Sequence, residues 1–294
     1  MKRNIILTMT VLAAGAMSPL AAQTFQLKPH VGIGLGKAVD LESSLPLETM
    51  KASSMEYGVD FGYNFWKKGG STLSANIGIG YRNVSLKLDG YNATYSYAAP
   101  ADADVDGDTY IRHYDISGMG EKLRAGYVDI PIYLGYDYRV ADRFGIYADL
   151  GVNLGFKADA RVRGVQGSAD IWGFYQQYDG LDIDDPYING FGQVDLAGAG
   201  KATPEAKGFM GSLIVGAGVK ARIAGPVWVN LGVRYDCGFG DIFRKGIEGK
   251  DFTAETAPAT YTVAGGERVK AFSDYLSKSH LSALSLNVGL IIDF

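Results

Sequence analysis

The sequence predicts an all-β chain, a transmembrane antiparallel up-and-down β-barrel of eight strands, with ten as the alternative, carrying long extracellular loops and short periplasmic turns. Three observations predict this class. Apolar residues alternate with small or polar residues over eight segments, as in strands whose successive side chains face opposite sides. Tight connections between these segments alternate with long ones. The first residues have the features of an export signal.

The N-terminus begins with Lys2 and Arg3, continues with an apolar run from Ile5 to Ala16, and ends in small residues. A charged start, a short apolar run and a small-residue exit are typical of secretory signal peptides. We therefore expect residues 1–22 to be a cleaved signal peptide and residues 23–294 to form one outer-membrane β-barrel domain. A membrane-spanning helix needs roughly 18 to 20 apolar residues in a row, and no stretch reaches that length.

Composition excludes several other classes. The chain has 40 glycines, which strands tolerate where side chains would crowd a narrow interior. Its single cysteine, Cys237, cannot form an internal disulfide. The formal net charge is −4, and removal of Lys2 and Arg3 lowers it by two more. We therefore expect no nucleic-acid partner, because such proteins need a basic surface.

Eight segments carry apolar residues on one parity and small or polar residues on the other. The apolar parity runs through Val31 to Leu35, Tyr57 to Phe65, Leu73 to Tyr81, Val128 to Tyr138, Ile146 to Phe156, Leu213 to Ile223, Val227 to Tyr235, and Leu284 to Phe294. A tilted strand crosses a bilayer in about 9 to 11 residues, and these segments are of that order.

The connections between the segments fall into two groups. Tight turns are predicted at "WKKGGS", "RVADR" and "AGP", and long loops at roughly 38–54, 88–125, 159–207 and 241–280. Short turns at one end and long loops at the other are typical of outer-membrane barrels. Segments 160–175 and 187–198 alternate weakly, so they either extend a hairpin outside the membrane or add a pair of strands.

The last segment ends on Phe294, on the apolar parity. Lipid cannot hydrogen-bond a free strand edge, so the last strand is expected to pair with the first. We expect Phe294 to lie among the interfacial aromatic residues and to act as the assembly signal read by the barrel-assembly machinery.

The segment "YVDIPIYLGY", residues 127–136, resembles the "YLEIPL" motif of the outer-membrane β-barrel domain family common in the Bacteroidota, which includes PorT-like and "porin family" proteins. Asp129 stands where that motif has Glu. The strand number is also similar to that of the OmpA transmembrane domain. The resemblance implies this fold from Gln23 to Phe294 and a place in the cell outer membrane. It also implies a secretion-machinery accessory role as one version of the function.

The inward parity of the predicted barrel carries charges of both signs. They are Glu56, Asp60, Arg82, Asp129, Asp149, Lys157, Lys220, Arg222, Arg234 and Asp236. An eight-stranded barrel is only wide enough for side chains to fill its interior, and charges away from water are costly unless paired. We expect these residues to form a salt-bridged plug; the alternative is a proton or ion path.

The loop segment "DADVDGDTYIRH" begins like a calcium loop, with Asp102, Asp104, Asp106 and Asp108 at alternating positions. His113 stands at position twelve, where a bidentate Glu is needed. We therefore predict no metal site and no cofactor, and keep these four aspartates as the metal-binding alternative to an acidic, solvated loop.

The segment "WGFYQQYDG" gives four loop-binding candidates, Trp172, Phe174, Tyr175 and Tyr178. Aromatic side chains supply a large contact area with a polar group and suit an envelope protein or glycan ligand. The alternative is that they pack the loops together or lie at the lipid interface.

These features predict a non-enzymatic scaffold, binding or envelope-accessory protein that acts through its surface loops and is surrounded by outer-membrane lipid. One alternative is a narrow porin-like channel for ions or small solutes. The second is a lipid- or peptide-directed enzyme using His280 with Ser282 or Ser285, although nothing in their spacing selects that pair.

Overall fold

The computed structural model describes residues 24–35, 39–43, 50–99, 104, 106–185, 187–197, 206–243, 260–262, 268–270 and 276–294. The predicted signal peptide, residues 1–22, lies outside them and stays a prediction. Nearly all described residues lie in strands, with one 3₁₀ turn at Gln176–Tyr178. Among the described residues, no helix has the length and hydropathy needed to span a membrane.

Thirteen strands are found in the described part of the chain. They are β1 (Phe25–Gly34), β2 (Val39–Ser43), β3 (Met50–Lys68), β4 (Ser71–Ala99), β5 (Tyr110–Ala141), β6 (Phe144–Tyr175), β7 (Leu181–Ile183), β8 (Gly192–Asp195), β9 (Phe209–Ala224), β10 (Val227–Asp241), β11 (Thr260–Thr262), β12 (Arg268–Lys270) and β13 (Leu276–Asp293).

Eight of these strands form a closed antiparallel ring in the order β1-β3-β4-β5-β6-β9-β10-β13, with β13 pairing back to β1. The backbone N–H of Phe294 donates to the Phe25 carbonyl, and that of Thr24 to the Phe294 carbonyl, both at 2.9 Å. Closure gives the backbone N–H and C=O groups at the edges of the ring hydrogen-bond partners without water, which is necessary because lipid supplies none. The eight-stranded barrel predicted from the sequence is therefore confirmed.

The barrel has two different ends. The turn end carries the tight connections at 69–70, 142–143 and 225–226, and the loop end carries the four long ones. At the loop end, β2 pairs with β13, while β7 and β8 pair with β6. The weakly alternating segments therefore extend a hairpin rather than widen the ring.

Strands β4, β5 and β6 are 29, 32 and 32 residues long, far beyond the roughly 9 to 11 that cross a bilayer. Two predicted loops are corrected by this: much of 88–125 and the first part of 159–207 are strand. The reason is an inverted pattern. Beyond Arg82 the inward residues of β4 become apolar, as at Leu86, while the outward ones become polar, as at Lys87.

The outer wall of the ring is an apolar belt. Large apolar side chains on all eight strands are exposed, among them Ile79 at 63%. Aromatic residues flank the belt, including Phe25 and Tyr63 at the turn end and Phe156 and Phe209 at the loop end, with ring centroids 5.4 and 5.5 Å apart within the two pairs. Such a band with aromatic margins fits a hydrocarbon layer.

Two tyrosine rings cross the narrow interior over glycines. A Cβ added at Gly232 would lie 2.2 Å from the Tyr147 hydroxyl, and one at Gly218 would lie 2.7 Å from the same ring. A Cβ at Gly151 would lie 2.4 Å from Cα of Tyr133. Glycine is needed at 218 and 232 because a side chain there would overlap Tyr147, and at 151 because it would overlap the backbone of Tyr133.

Replacing Gly232 with Val should therefore destabilise the barrel by about 1–3 kcal/mol through overpacking against Tyr147. The measurement is urea unfolding of the refolded protein in detergent micelles, followed by the heat-modifiable band. The matched control is Gly240→Val on the same strand, where an added Cβ meets no atom within 4 Å. Equal midpoints for the two variants would contradict this account of the interior.

Candidate functional site

The interior of the barrel is crossed by a cluster of five charged side chains, Glu56, Arg82, Asp129, Arg234 and Asp236, here named the lumen cluster. The Arg82 guanidinium, only 1% exposed, lies 3.0 Å from Glu56, 2.8 Å from Asp129 and 2.9 Å from Asp236. Arg234 adds contacts of 3.1 Å to Asp236 and 3.6 Å to Glu56. The two guanidinium groups thus share their carboxylates.

The lumen cluster spans the full width of the ring. Arg82 is on β4 and Asp236 is on β10, and these two strands lie on opposite sides of the eight-stranded ring. Buried charges lose hydration, and only close pairing with good hydrogen bonds offsets that loss. The pairing therefore keeps these five side chains together across the lumen at this level.

Further charged pairs lie between the lumen cluster and the turn end. Lys220 donates to Asp137, and the Tyr133 hydroxyl donates to Asp60 at 2.8 Å, with His30 3.4 Å from the same carboxylate. Asp137, His30 and Tyr133 belong to this interior network but are not among the interior charges predicted from the sequence. The inward parity of their strands would have identified them.

The remaining predicted interior charges have different surroundings. Asp149 lines a cavity of about 70 Å³, which Arg234 also lines. The Arg222 guanidinium lies 4.9 Å from the centre of the Trp228 ring. Lys157 was assigned wrongly: its side chain is exposed, and its Nζ donates to the Ala206 carbonyl at 3.0 Å. Lys157 lies opposite Tyr127 at the loop-end margin of the ring, so its side chain reaches the connection around Ala206 rather than the interior carboxylates.

Above the lumen cluster, the loop-end parts of β4, β5 and β6, with β7 and β8, form a lobe with its own apolar core. Its fully buried members include Val84, Leu86, Met119, Leu123 and Ile171 from the strands, and Leu196, Ile242, Phe243 and Val269 from the long connections. The Tyr127 hydroxyl donates to the Lys207 and Ile242 carbonyls at 3.3 and 3.2 Å. Described segments of two loops thus fold into the barrel mouth.

The tip of the lobe is held by hydrogen bonds to Asp104. Its carboxylate accepts from the Tyr175 hydroxyl at 2.5 Å, from the Asn189 side chain at 2.8 Å and from the Asp106 backbone at 2.8 Å. Burial raises the pKa of the Asp104 carboxyl, but these donors outweigh burial and hold the pKa below its usual value. Burial and the Asp104 carboxylate raise the pKa of the Tyr175 hydroxyl.

The acidic loop and the aromatic segment meet at this tip. Asp104 accepts from Tyr175, and Asp108 accepts from Tyr178. Asp102 lies outside the described residues, and within the described residues no three His, Cys, Asp or Glu side chains form a group that could hold a metal ion. The absence of a metal site stays a prediction.

Strand alternation separates the four aromatic candidates. Tyr175 faces the lobe core and is 3% exposed, whereas Trp172 and Phe174 lie on the outer face. There the Trp172 ring stacks on His113 with centroids 5.1 Å apart, and Phe174 lies opposite Ile111. These four outer-face residues, Ile111, His113, Trp172 and Phe174, are named the aromatic patch.

The candidate catalytic residues lie at the loop end of β13. His280 is 3.3 Å from Asp241. The Ser282 hydroxyl hydrogen-bonds Tyr235 at 3.0 Å, and the Ser285 hydroxyl donates to the Arg234 carbonyl at 3.3 Å. Both serines therefore have other partners, and Ser285 faces the lumen.

Comparisons with known proteins point to a barrel. A family model described as "Outer membrane protein beta-barrel domain" matches residues 21–244. Comparison with curated proteins gave no match. Two solved structures align with 98% of this chain: the transport unit of the autotransporter AIDA-I from Escherichia coli (12% identity, 97% of that chain, TM-score 0.25) and the translocator domain of the autotransporter NalP from Neisseria meningitidis (11%, 94%, 0.22). TM-scores this low carry no argument.

Replacing Arg82 with Met should destabilise the barrel by about 3–5 kcal/mol, because it leaves Glu56, Asp129 and Asp236 without their central cation. Urea unfolding in micelles measures the loss. Adding Asp236→Asn to Arg82→Met should recover part of it, since one uncompensated charge is removed.

The control for this prediction is Lys87→Met in the lobe. Lys87 pairs with Asp89 at 2.8 Å, but both side chains are about half exposed, and exposed pairs contribute only about 0–1 kcal/mol. Similar losses for Arg82→Met and Lys87→Met would show that the lumen cluster has no special role.

Proposed function

The chain belongs to the outer membrane protein β-barrel domain family, and on this premise we propose that it is a non-enzymatic scaffold whose lobe binds an envelope protein or a surface glycan. Family membership implies an outer-membrane location. The observation that carries the proposal is the aromatic patch, which lies on strands extending well beyond the apolar belt. A role as an accessory to a secretion machine, as in PorT-like proteins, is one form of this function.

The lobe has the properties of a binding platform. Its inner face is packed by apolar residues, and its tip is held by the Asp104, Tyr175 and Asn189 hydrogen bonds. A rigid scaffold lowers the entropy lost on binding, and partly exposed aromatic side chains supply most contact energy in many interfaces. The patch is only partly exposed, so its rings are already fixed by neighbours before a partner arrives.

Binding through the patch can be tested with a photo-reactive cross-linker incorporated at Ile111 in intact cells. We expect a discrete adduct with a protein or glycan, and its yield should fall at least tenfold in the Trp172→Ala, Phe174→Ala double variant. A tenfold weaker binding corresponds to a loss of about 1.4 kcal/mol of binding free energy. Buried aromatic anchors commonly contribute about 2 kcal/mol or more to binding.

The matched control is Asp170→Ala, which changes an exposed residue of the same strand and face, two positions from Trp172. Its adduct yield should equal that of the wild type. Equal yields in the double variant and the wild type would refute binding through the aromatic patch.

The channel alternative is less well supported. The lumen cluster crosses the ring, and the lobe core fills the space above it, so the described residues offer no evident path for a hydrated ion. An eight-stranded barrel is narrow in any case. The enzyme alternative rests on His280, whose contact is Asp241 rather than a serine.

Planar-bilayer recordings decide between scaffold and channel. We expect no stepwise conductance from refolded protein, because paired side chains occupy the lumen. Conductance steps that disappear in Gly232→Trp, which places a bulky ring in the lumen, would support the channel instead. Heat-modifiable mobility verifies folding of both samples.

A further inference from the structure

The turn end of the lumen holds a cavity of about 270 Å³ that is separate from the lobe and from the lumen cluster. Residues of seven ring strands and of the 69–70 turn line it. Asp137 lines both this cavity and the smaller one above it. The turn-end cavity therefore lies at the periplasmic mouth of the lumen, on the turn-end side of the lumen cluster.

Positive charge predominates in the turn-end cavity. Lys67, Arg139 and Lys220 line it together with two carboxylates, Asp137 and Asp293. Asp137 accepts from Lys220, and Asp293 accepts from the Gln26 side chain at 2.8 Å.

Arg222 adds a fourth cation beside the cavity, where its guanidinium lies over Trp228. The lining itself holds three cations and two carboxylates, and Arg222 beside it brings the local excess to two positive charges. Clustered like charges under a low-dielectric wall raise the local potential and attract counter-ions.

Trp228 also indicates a ligand in the turn-end cavity. This residue lines the cavity, is 2% exposed, and has three cations near its ring, at 4.9 Å for Arg222, 5.3 Å for Lys220 and 5.8 Å for Arg139. Its indole N–H has no acceptor among the described residues, and neither has Nε of Arg222. A buried donor without an acceptor destabilises the protein, and a ligand oxygen would supply the missing partner.

We propose that the turn-end cavity binds an oxyanion with two negative charges, namely phosphate, either free or as a monoester. Two negative charges balance the local excess of positive charge. Phosphate oxygens accept several N–H donors at once, which suits guanidinium groups and the unpaired indole N–H. The ligand reaches the site from the periplasm, because the tight turns surround its mouth.

Trp228 itself can report binding. The chain has three tryptophans, so Trp66→Phe with Trp172→Phe leaves Trp228 as the single emitter. Refolded protein in micelles is titrated with inorganic phosphate at constant ionic strength set by sodium chloride, with acetate as a singly charged comparison. We expect a saturable change in Trp228 emission for phosphate and at least tenfold weaker binding for acetate. Glycerol phosphate as a third arm separates the two sources: tighter binding than phosphate indicates a monoester ligand, and weaker binding indicates the free ion.

Variants distinguish a site from general attraction to a cationic protein. Arg139→Gln in the single-tryptophan background should weaken phosphate binding at least tenfold, whereas Arg161→Gln, which removes an exposed lobe arginine paired with Asp159, should not. Lys67→Gln is the second variant if Arg139→Gln does not refold. A non-saturable response from folded protein, or equal affinities in Arg139→Gln and Arg161→Gln, would overturn the proposal.

Discussion

The requirement that every backbone N–H and C=O find a partner without water determines the rest of this molecule. A sheet in lipid meets that requirement only by closing, so β13 returns to β1 and the end residues Thr24 and Phe294 are tied by backbone hydrogen bonds. Closure with eight strands leaves a narrow interior. That narrowness in turn explains why glycines lie beneath Tyr133 and Tyr147 and why the charged side chains meet one another rather than water.

The interior is filled in two different ways along its length. Within the apolar belt, side chains that face lipid are apolar, and those that face inward are polar and paired. Past Arg82 the arrangement reverses, since the outer face meets water and the inner face forms the lobe core. One continuous strand such as β4 thus behaves as a membrane strand over its first half and as a strand of a soluble domain over its second.

The sequence predicts the ring well because period-two alternation with apolar residues outward is strong in all eight segments. It predicts the lobe poorly because there the apolar parity changes face at Val84, Leu86 and Leu88, which removes the signal of a lipid-facing strand. Strand parity identifies which charged residues face the interior, but it does not identify which of them pair with each other. The partnership of Arg82 with Asp236 joins residues 154 positions apart and depends on ring order. Trp228 lies on a predicted strand, but its three cations come from β9 and from β5 across the ring, and the local pattern does not place them beside it.

The length of the β5–β6 hairpin gives the aromatic patch a definite height. Trp172 follows Phe156, at the margin of the apolar belt, by sixteen residues of β6. At about 3.3 Å per residue and a tilt of about 40°, the patch stands roughly 40 Å above the hydrocarbon margin. Lipid headgroups end well below that height, so the patch lies clear of the bilayer surface. The β5–β6 hairpin therefore limits the possible partners of the patch to molecules that extend this far above the bilayer. This limit applies whatever the affinity of the patch.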